Sequence, residues 1–421
     1  MKVFKFGGAS VRNVSSFKNL VRILDKHQGE ELFIVISAMG KMTNAFERLV
    51  VSYASKKDRV EEDYEFIKNY HTEIIEALFT NKDNAVFKDL DALFSSLRHK
   101  LSQQAASNYN YIYDSMVSYG ELLSSTILSH YLNAHGYKNI LVDARDIIRT
   151  DATYREARVN WDQTPSRVKK AYRQVLAKGY RIAITQGFIG ASEHNYTTTL
   201  GREGSDFTAA IIGYSLKAQE VVIWKDVDGV LNADPKQFEE TIKIDHLTYS
   251  DAIELAYYGA TVIHPKTIKP LENAGIPLRV KSFLNPESAG TCINKNNNVQ
   301  NDTPCYIFKF NQILISIVPN DFSFIVEKNI SSIFNALSKY NIKVNLMQNS
   351  ALSFSICVDN GPLKAPQLIN ELNNEFRIFY NTSLTLVTVR NYNDEAIKKV
   401  CLNKEVLLEQ KSRNTVQFVL R

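Results

Sequence analysis

The sequence predicts an α/β fold, a layered domain with a mainly parallel sheet followed by a smaller ferredoxin-like α+β module, and three observations carry that expectation. Short β-rich runs alternate with helical periods through roughly the first 290 residues. The composition then turns polar and Asn-rich at "GTCINKNNNVQNDTP", which reads as a linker rather than a core segment. Beyond it the elements fall in β-α-β-β-α-β order. The chain of 421 residues, 44% hydrophobic, suits two or three domains, and the boundary is placed between residues 1–295 and 308–421.

"KVFKF" opens as a strand, and a helix built on Phe17, Leu20, Val21 and Leu24 separates it from "ELFIVIS". Residues 55 to about 135 are helical in pattern and rich in charge, which suits a substrate-side lobe or an oligomer surface. Strands return at "NILVDA", "RIAITQGF", "EVVIWKDV", "ATVIH" and "PLRVKSF". Between the last two, "HPKTIKPLENAG" places Pro265 at a helix start and Gly275 just beyond its end. After the linker come "QILISIV", a helix carrying Ile330, Ile333, Phe334 and Leu337, the strands "IKVNLMQ" and "LSFSICV", and a second helix, "LKAPQLINELNNEF". The chain closes with "LTLVTVRN", a short helix and a hairpin around "KSRN".

Composition excludes several classes. The 50 Lys and Arg against 45 Asp and Glu leave a net charge of +5 without a dense basic run, which argues against nucleic acid as the main partner. Cys292, Cys305, Cys357 and Cys401 lie far apart without metal-like spacing and read as reduced thiols. The segment "MKVFKFGGAS" has no apolar targeting core, and no apolar run is long enough to span a bilayer. A cytoplasmic protein is the expectation.

Several stretches carry chemistry. In "KFGGAS" a strand with Lys5 runs into Gly7, Gly8 and Ser10, where backbone N–H groups and a point charge can surround phosphate oxygens; a tight turn is the plain alternative. "SAMGKMTN" sets Ser37, Gly40 and Thr43 at a strand end, where α/β proteins place ligands, with an ordinary polar loop as the plain alternative. In "SYGELLSS", Gly120 falls inside a helical pattern, suggesting that something approaches closely there, and Glu121 can meet a substrate ammonium or stay solvated. Arg145 in "VDARDIIRTD" can hold a carboxylate or form a surface ion pair. "TTTLGREGSDFTA" leads into a helix near Ser205, with Ser205 and Asp206 able to cap it or to face an anion. "WKDVDGVLNADPK" groups Lys225, Asp226, Asp228, Asp234 and Lys236, a set that suits Mg²⁺ and nucleotide phosphates.

Taken in chain order and completed by "YGATVIHPKT", these stretches resemble the aspartate kinases of the amino-acid-kinase superfamily, and the C-terminal module looks like their ACT regulatory region. The resemblance spans almost the whole chain. It implies a three-layer α/β/α kinase domain and ATP-dependent phosphorylation of the β-carboxylate of L-aspartate to 4-phospho-L-aspartate, the first step toward lysine, threonine and methionine. It implies ATP and Mg²⁺ as cofactors and a homodimer formed through the ACT region. By motif position, Lys5 and Asp206 would be catalytic, and Thr43, Glu121, Arg202, Gly204 and Ser205 would bind aspartate. Lys5, Gly7, Gly8, Ser10, Lys225, Asp226, Leu231 and Lys236 would face the nucleotide. The alternatives are a glutamate or acetylglutamate kinase, and an ACT-based amino-acid sensor with weakened catalysis.

Departures from the family pattern carry expectations of their own. Glu203 stands where a glycine is usual and is expected to point to solvent, with pairing to a lysine such as Lys225 as the alternative. Lys225 replaces a threonine, and Thr261 a lysine, so Lys225 is expected to restore the charge missing at Thr261. The segment after "LTLVTVRN" is too short for a full second ACT unit and lacks a helix. Lys328 and Asn345 replace the glycine and aspartate of lysine-inhibited relatives, so lysine inhibition is expected to be weak or absent.

Overall fold

The computed structural model describes residues 1–421 apart from 57, 239, 261–262, 297–301 and 322. It divides into two compact units, one of residues 1–230, 245–253 and 262–299, the other of residues 231–244, 254–261 and 300–421. Two segments from within the first three hundred residues thus belong with the C-terminal unit.

Five consecutive apolar residues can be accommodated only by burial on both faces, and Leu32–Ile36 is accordingly a central strand. It pairs in parallel with Lys2–Phe6 on one side and Ile182–Gln186 on the other. Beyond Ile182–Gln186 lies Asn139–Val142; beyond Lys2–Phe6 lie Val221–Lys225, Leu278–Ser282, Thr291–Asn294 and His246–Thr248, giving eight strands. Thr291–Asn294 runs antiparallel to Leu278–Ser282, and the other named pairings are parallel.

Side chains alternate across this sheet. Phe4, Phe6, Ile34 and Ile36 share one core with the helices Val14–Asp25, Met42–Ala54, Val60–Leu78, Ala85–Ser102 and Tyr119–Ala134. Phe33, of opposite parity, meets Tyr172 of the Thr164–Ala177 helix at 6.0 Å between rings. That helix, Gly204–Leu216 and Pro265–Ala274 form the third layer. Pro265 opens the last of these and Gly275 closes it at φ 66°, as the sequence predicts. The strand expected at "ATVIH" falls partly on Thr261 and Val262, outside the described residues, and Ile263 and His264 are not extended into a sheet.

In the second unit two long strands, Cys305–Pro319 and Phe376–Arg390, pair antiparallel through a register shift between Lys309 and Leu314. Their halves on one side of the shift join Val344–Asn349 and Phe354–Asp359, covered by the helices Glu327–Lys339 and Lys364–Leu372, as the β-α-β-β-α-β module. The other halves join the hairpin Val406–Lys411 and Thr415–Leu420, packed on the single helix Asp394–Cys401. The last segment therefore carries one helix, while Cys305–Lys309, from ahead of the first module, completes its sheet to four strands.

Candidate active site

Parallel strands end together, so the loops that follow them converge at one edge of the sheet. Lys5, Ser37, Phe188 and Lys225 come from four neighbouring strand ends. With Thr43, Glu47, Asn110, Tyr113, Glu121, Arg155, Glu156 and the turn from Gly201 to Asp206, they line a cavity of about 700 Å³. The structure thus brings together Lys5, Thr43, Glu121, Arg202, Gly204, Ser205, Asp206 and Lys225 from separated motifs.

The cavity's floor is ionic. Asp206, in the first turn of the Gly204–Leu216 helix, lies 2.7 Å from Lys5 Nζ through Oδ1 and 3.3 Å from Lys225 Nζ through Oδ2. Burial alone would push this carboxyl up, but the charges and hydrogen bonds of Lys5 and Lys225 outweigh it and hold the group below the ordinary carboxylate value. Lys225 is thus tied to Asp206; its expected partner deficit at Thr261 lies outside the described residues.

Glu121 is buried at the start of the Tyr119–Ala134 helix. Ala38 N–H donates to its Oε1 at 3.3 Å, and Oε2 has no hydrogen-bond partner among the described residues. Burial pushes this carboxyl up to about 8, against the opposing pull of backbone N–H groups and of Lys5. Gly120 is not in a helix interior, as the pattern suggested, but in the first turn. A Cβ there would sit 2.9 Å from Ala38 Cβ, so the close approach expected at this glycine is made by the chain's own loop.

The turn before Asp206 departs from expectation twice. The helix begins at Gly204 with Glu203 at its N-cap and no side-chain cap, so Ser205 does not cap it. Ser205 is buried instead, packed so closely on Gly187 that a Cβ there would lie 2.5 Å from Ser205 Cβ. Glu203 is half-buried rather than fully solvated: it lines the cavity, and among the described residues its Oε2 is buried without a hydrogen-bond partner. Arg202 is exposed on the same lining.

Other candidates are placed less directly. Gly40 N–H donates to Gly8 O at 2.9 Å, and a Cβ on Gly8 would meet Gly40 O at 2.7 Å. The two glycine loops clasp each other. Gly7 leaves Lys5 Nζ 3.4 Å from where its Cβ would be, and Ser10 is buried with its N–H on Gly7 O. Asp226 is exposed just past its strand; Leu231 and Lys236 belong to the second unit. Arg145 is held bidentately by Asp143, Nε to Oδ1 at 2.9 Å and Nη2 to Oδ2 at 2.6 Å, the plain ion pair rather than a substrate clamp.

Sequence reasoning missed part of the wall. Tyr113 donates to Glu47 Oε1 at 2.7 Å, and the Arg155 guanidinium lies 4.4 Å over the Tyr113 ring. Behind them Asp114 is fully buried and accepts from Arg155 N–H, Thr199 N–H and Thr199 Oγ1. A lone Asp inside "YIYDSMV" is the available signal, an acidic residue in an otherwise apolar helix face.

Known proteins resemble this chain over most of its length. The model of the amino acid kinase family matches residues 1–282. Aspartokinase 2, chloroplastic, of Arabidopsis thaliana is 31% identical over 385 residues, covering 88% of this chain and 68% of its own length. Aspartokinase 1, chloroplastic, of the same plant is 32% identical over 381 residues, covering 88% and 65%. The chain therefore spans about two thirds of the length of these relatives. The crystal structure of E. coli aspartokinase III in complex with aspartate and ADP superposes with a TM-score of 0.82 at 25% identity, covering all of this chain and 96% of that one. Among the described residues, no helix is long and apolar enough to cross a membrane.

Proposed function

From the premise that this chain belongs to the aspartokinases of the amino acid kinase family, we propose that it transfers the γ-phosphoryl group of ATP to the β-carboxylate of L-aspartate, opening the aspartate pathway. The observation that carries the reading is the Lys5–Asp206–Lys225 cluster at the floor of a cavity walled by Glu121 and Arg202.

A β-carboxylate, with an ordinary pKa of about 3.9, is ionised at neutral pH and needs no general base. One carboxylate oxygen attacks the γ-phosphorus, the bond to the bridging oxygen breaks, and ADP leaves with those electrons; no proton need move. The obstacle is repulsion, on the order of 4 kcal/mol for two unit charges about 4 Å apart at an effective dielectric of 20. Lys5, fixed by Asp206, supplies positive charge where the transferring group passes. Arg202 would hold the α-carboxylate and Glu121 the α-ammonium, with Thr43, Gly204 and Ser205 completing the amino-acid side. Gly7, Gly8, Ser10, Asp226, Leu231 and Lys236 are proposed for the nucleotide side.

Mg²⁺ would arrive on the nucleotide. An ion of this kind is held mainly by phosphates and one or two carboxylates. Asp226 and Asp228, both exposed after the Val221–Lys225 strand, would be available to it. Bound there, the ion supplies neutralisation of phosphate charge.

A coupled assay of ADP release with L-aspartate, L-glutamate or no acceptor tests the reading. Release only with L-aspartate is expected; release with L-glutamate, or none at all, would replace it with another carboxylate kinase or an amino-acid sensor.

The raised carboxyl of Glu121 sets a pH dependence. An ammonium needs the ionised form, so kcat/KM for L-aspartate should climb as pH rises from about 6.5 toward about 8.5, reporting the free enzyme. Glu121→Gln should flatten that limb and raise KM; a profile identical to wild type would remove Glu121 from substrate binding.

Lysine should inhibit weakly. Asn345 Oδ1 accepts from Lys309 Nζ at 2.8 Å, and its amide donates to Gln312 Oε1 and Asp359 Oδ1, each at 2.9 Å. The side chain is committed to an internal ammonium and offers no free carboxylate. Half-inhibition at low millimolar lysine in a steady-state assay would contradict this. A homodimer through the C-terminal unit is proposed on fold-level analogy, and exposed Phe379, Tyr380 and Met347 of that unit support it.

A further inference from the structure

Two lining residues of the cavity, Glu121 and Glu203, present a buried carboxylate oxygen with neither a hydrogen bond nor an ion pair among the described residues. The cavity's other acidic floor group, Asp206, has its two lysines, and Glu47 has the Tyr113 hydroxyl. Glu203 is also held at φ 53°, in the left-handed region that disfavours a branched backbone–side-chain geometry and favours glycine. An unpaired buried acceptor and a strained backbone at one residue are both costs to the folded protein, and such costs gather where a ligand compensates them.

A carboxylate accepts most strongly from a charged N–H donor, and the proposed substrate carries one such group. An ammonium has three donors and no acceptor, so a single carboxylate oxygen leaves it incompletely satisfied once water is excluded. We propose that Glu203 is a specificity-determining residue, the second acceptor for the α-ammonium of the amino-acid substrate beside Glu121. The inference rests on the aspartate kinase reading and goes beyond it by assigning a second residue to the ammonium. With two carboxylates on that group, the site selects the amino acid strongly over the same diacid without nitrogen.

The test uses wild type, Glu203→Gln and Glu203→Gly in the coupled ADP-release assay, with L-aspartate as substrate and succinate as competitive inhibitor. Glu203→Gln keeps the shape and removes the charge; Glu203→Gly also relieves the left-handed backbone, so its fold is safe. Both variants should raise KM for L-aspartate about tenfold or more while kcat stays within about threefold. The inhibition constant of succinate, which has no ammonium, should move by less than about twofold. Equal changes in KM and in the succinate constant would make Glu203 a general charge effect and overturn the proposal. So would an unchanged KM in Glu203→Gln, or harm confined to Glu203→Gly. Wild type that turns over no L-aspartate would fell the catalytic reading and this inference together, whereas an active wild type with unselective variants fells only the inference.

Discussion

Lys5→Met is expected to lower kcat for ADP release from ATP and L-aspartate by about a thousandfold. Lys5 is almost wholly buried, its ammonium is fixed at 2.7 Å by Asp206, and Gly7 keeps the space beside it clear. The charge is therefore in place before the reaction, which is what makes it effective on developing phosphoryl charge. Removing one partner of a buried pair typically costs about 3–5 kcal/mol of stability, but Lys225 remains on Asp206 Oδ2 and softens that loss. The rate should consequently fall far more than the folding stability, and circular dichroism against denaturant separates the two. A kcat within about tenfold of wild type would assign the phosphoryl charge to another cation.

The pH sign of this cluster follows from Asp206. Its carboxyl is depressed in the folded protein, so the stability it contributes is present above its unfolded pKa and is lost only as pH falls through the lower folded value. The ion cluster should be intact across the neutral range in which Glu121 titrates.

Asp114→Ala is the second large effect, and it acts on the fold. The variant strands three donors, the buried N–H and Oγ1 of Thr199 and the part-buried N–H of Arg155, and is expected to cost about 3 kcal/mol or more. Asp114 itself is raised, because burial outweighs the hydrogen bonds it accepts. Its folded form therefore binds a proton more tightly than the unfolded chain, and its contribution is greatest at low pH and declines as pH rises through the folded value. A urea midpoint for the first unit should fall markedly. Because the same bonds hold the backbone of Arg155 and the strand leading to the Gly201 turn, KM for L-aspartate should rise as well. Unchanged stability in Asp114→Ala would mean that water replaces the carboxylate in that niche.

The layered fold was legible because its signals are periodic and local: an all-apolar "LFIVI" must be a central strand, and Pro265 with Gly275 bracket a helix on capping chemistry alone. Lys5, Glu121, Arg202 and Asp206 were legible as motif positions, and their meeting in one cavity is tertiary. What escaped the sequence depends on contacts between distant segments. The contact of Gly8 with Gly40 is invisible in either motif alone, and Gly120 reads as a helix interior until the break at Ser118 separates two helices. Glu203 reads as solvated because most glutamates are; only the geometry of the turn buries its Oε2. Asp114 contributes through donors that lie far along the chain, and no local pattern announces them.

The strand Cys305–Lys309 pairs with Leu386–Arg390, and everything between those partners is an inserted module. During vectorial synthesis the early strand must wait, with its hydrogen-bonding edge open, until the later one has emerged. Chains cut short within the insertion would keep that edge exposed, so truncation products of this protein should aggregate rather than persist as folded fragments.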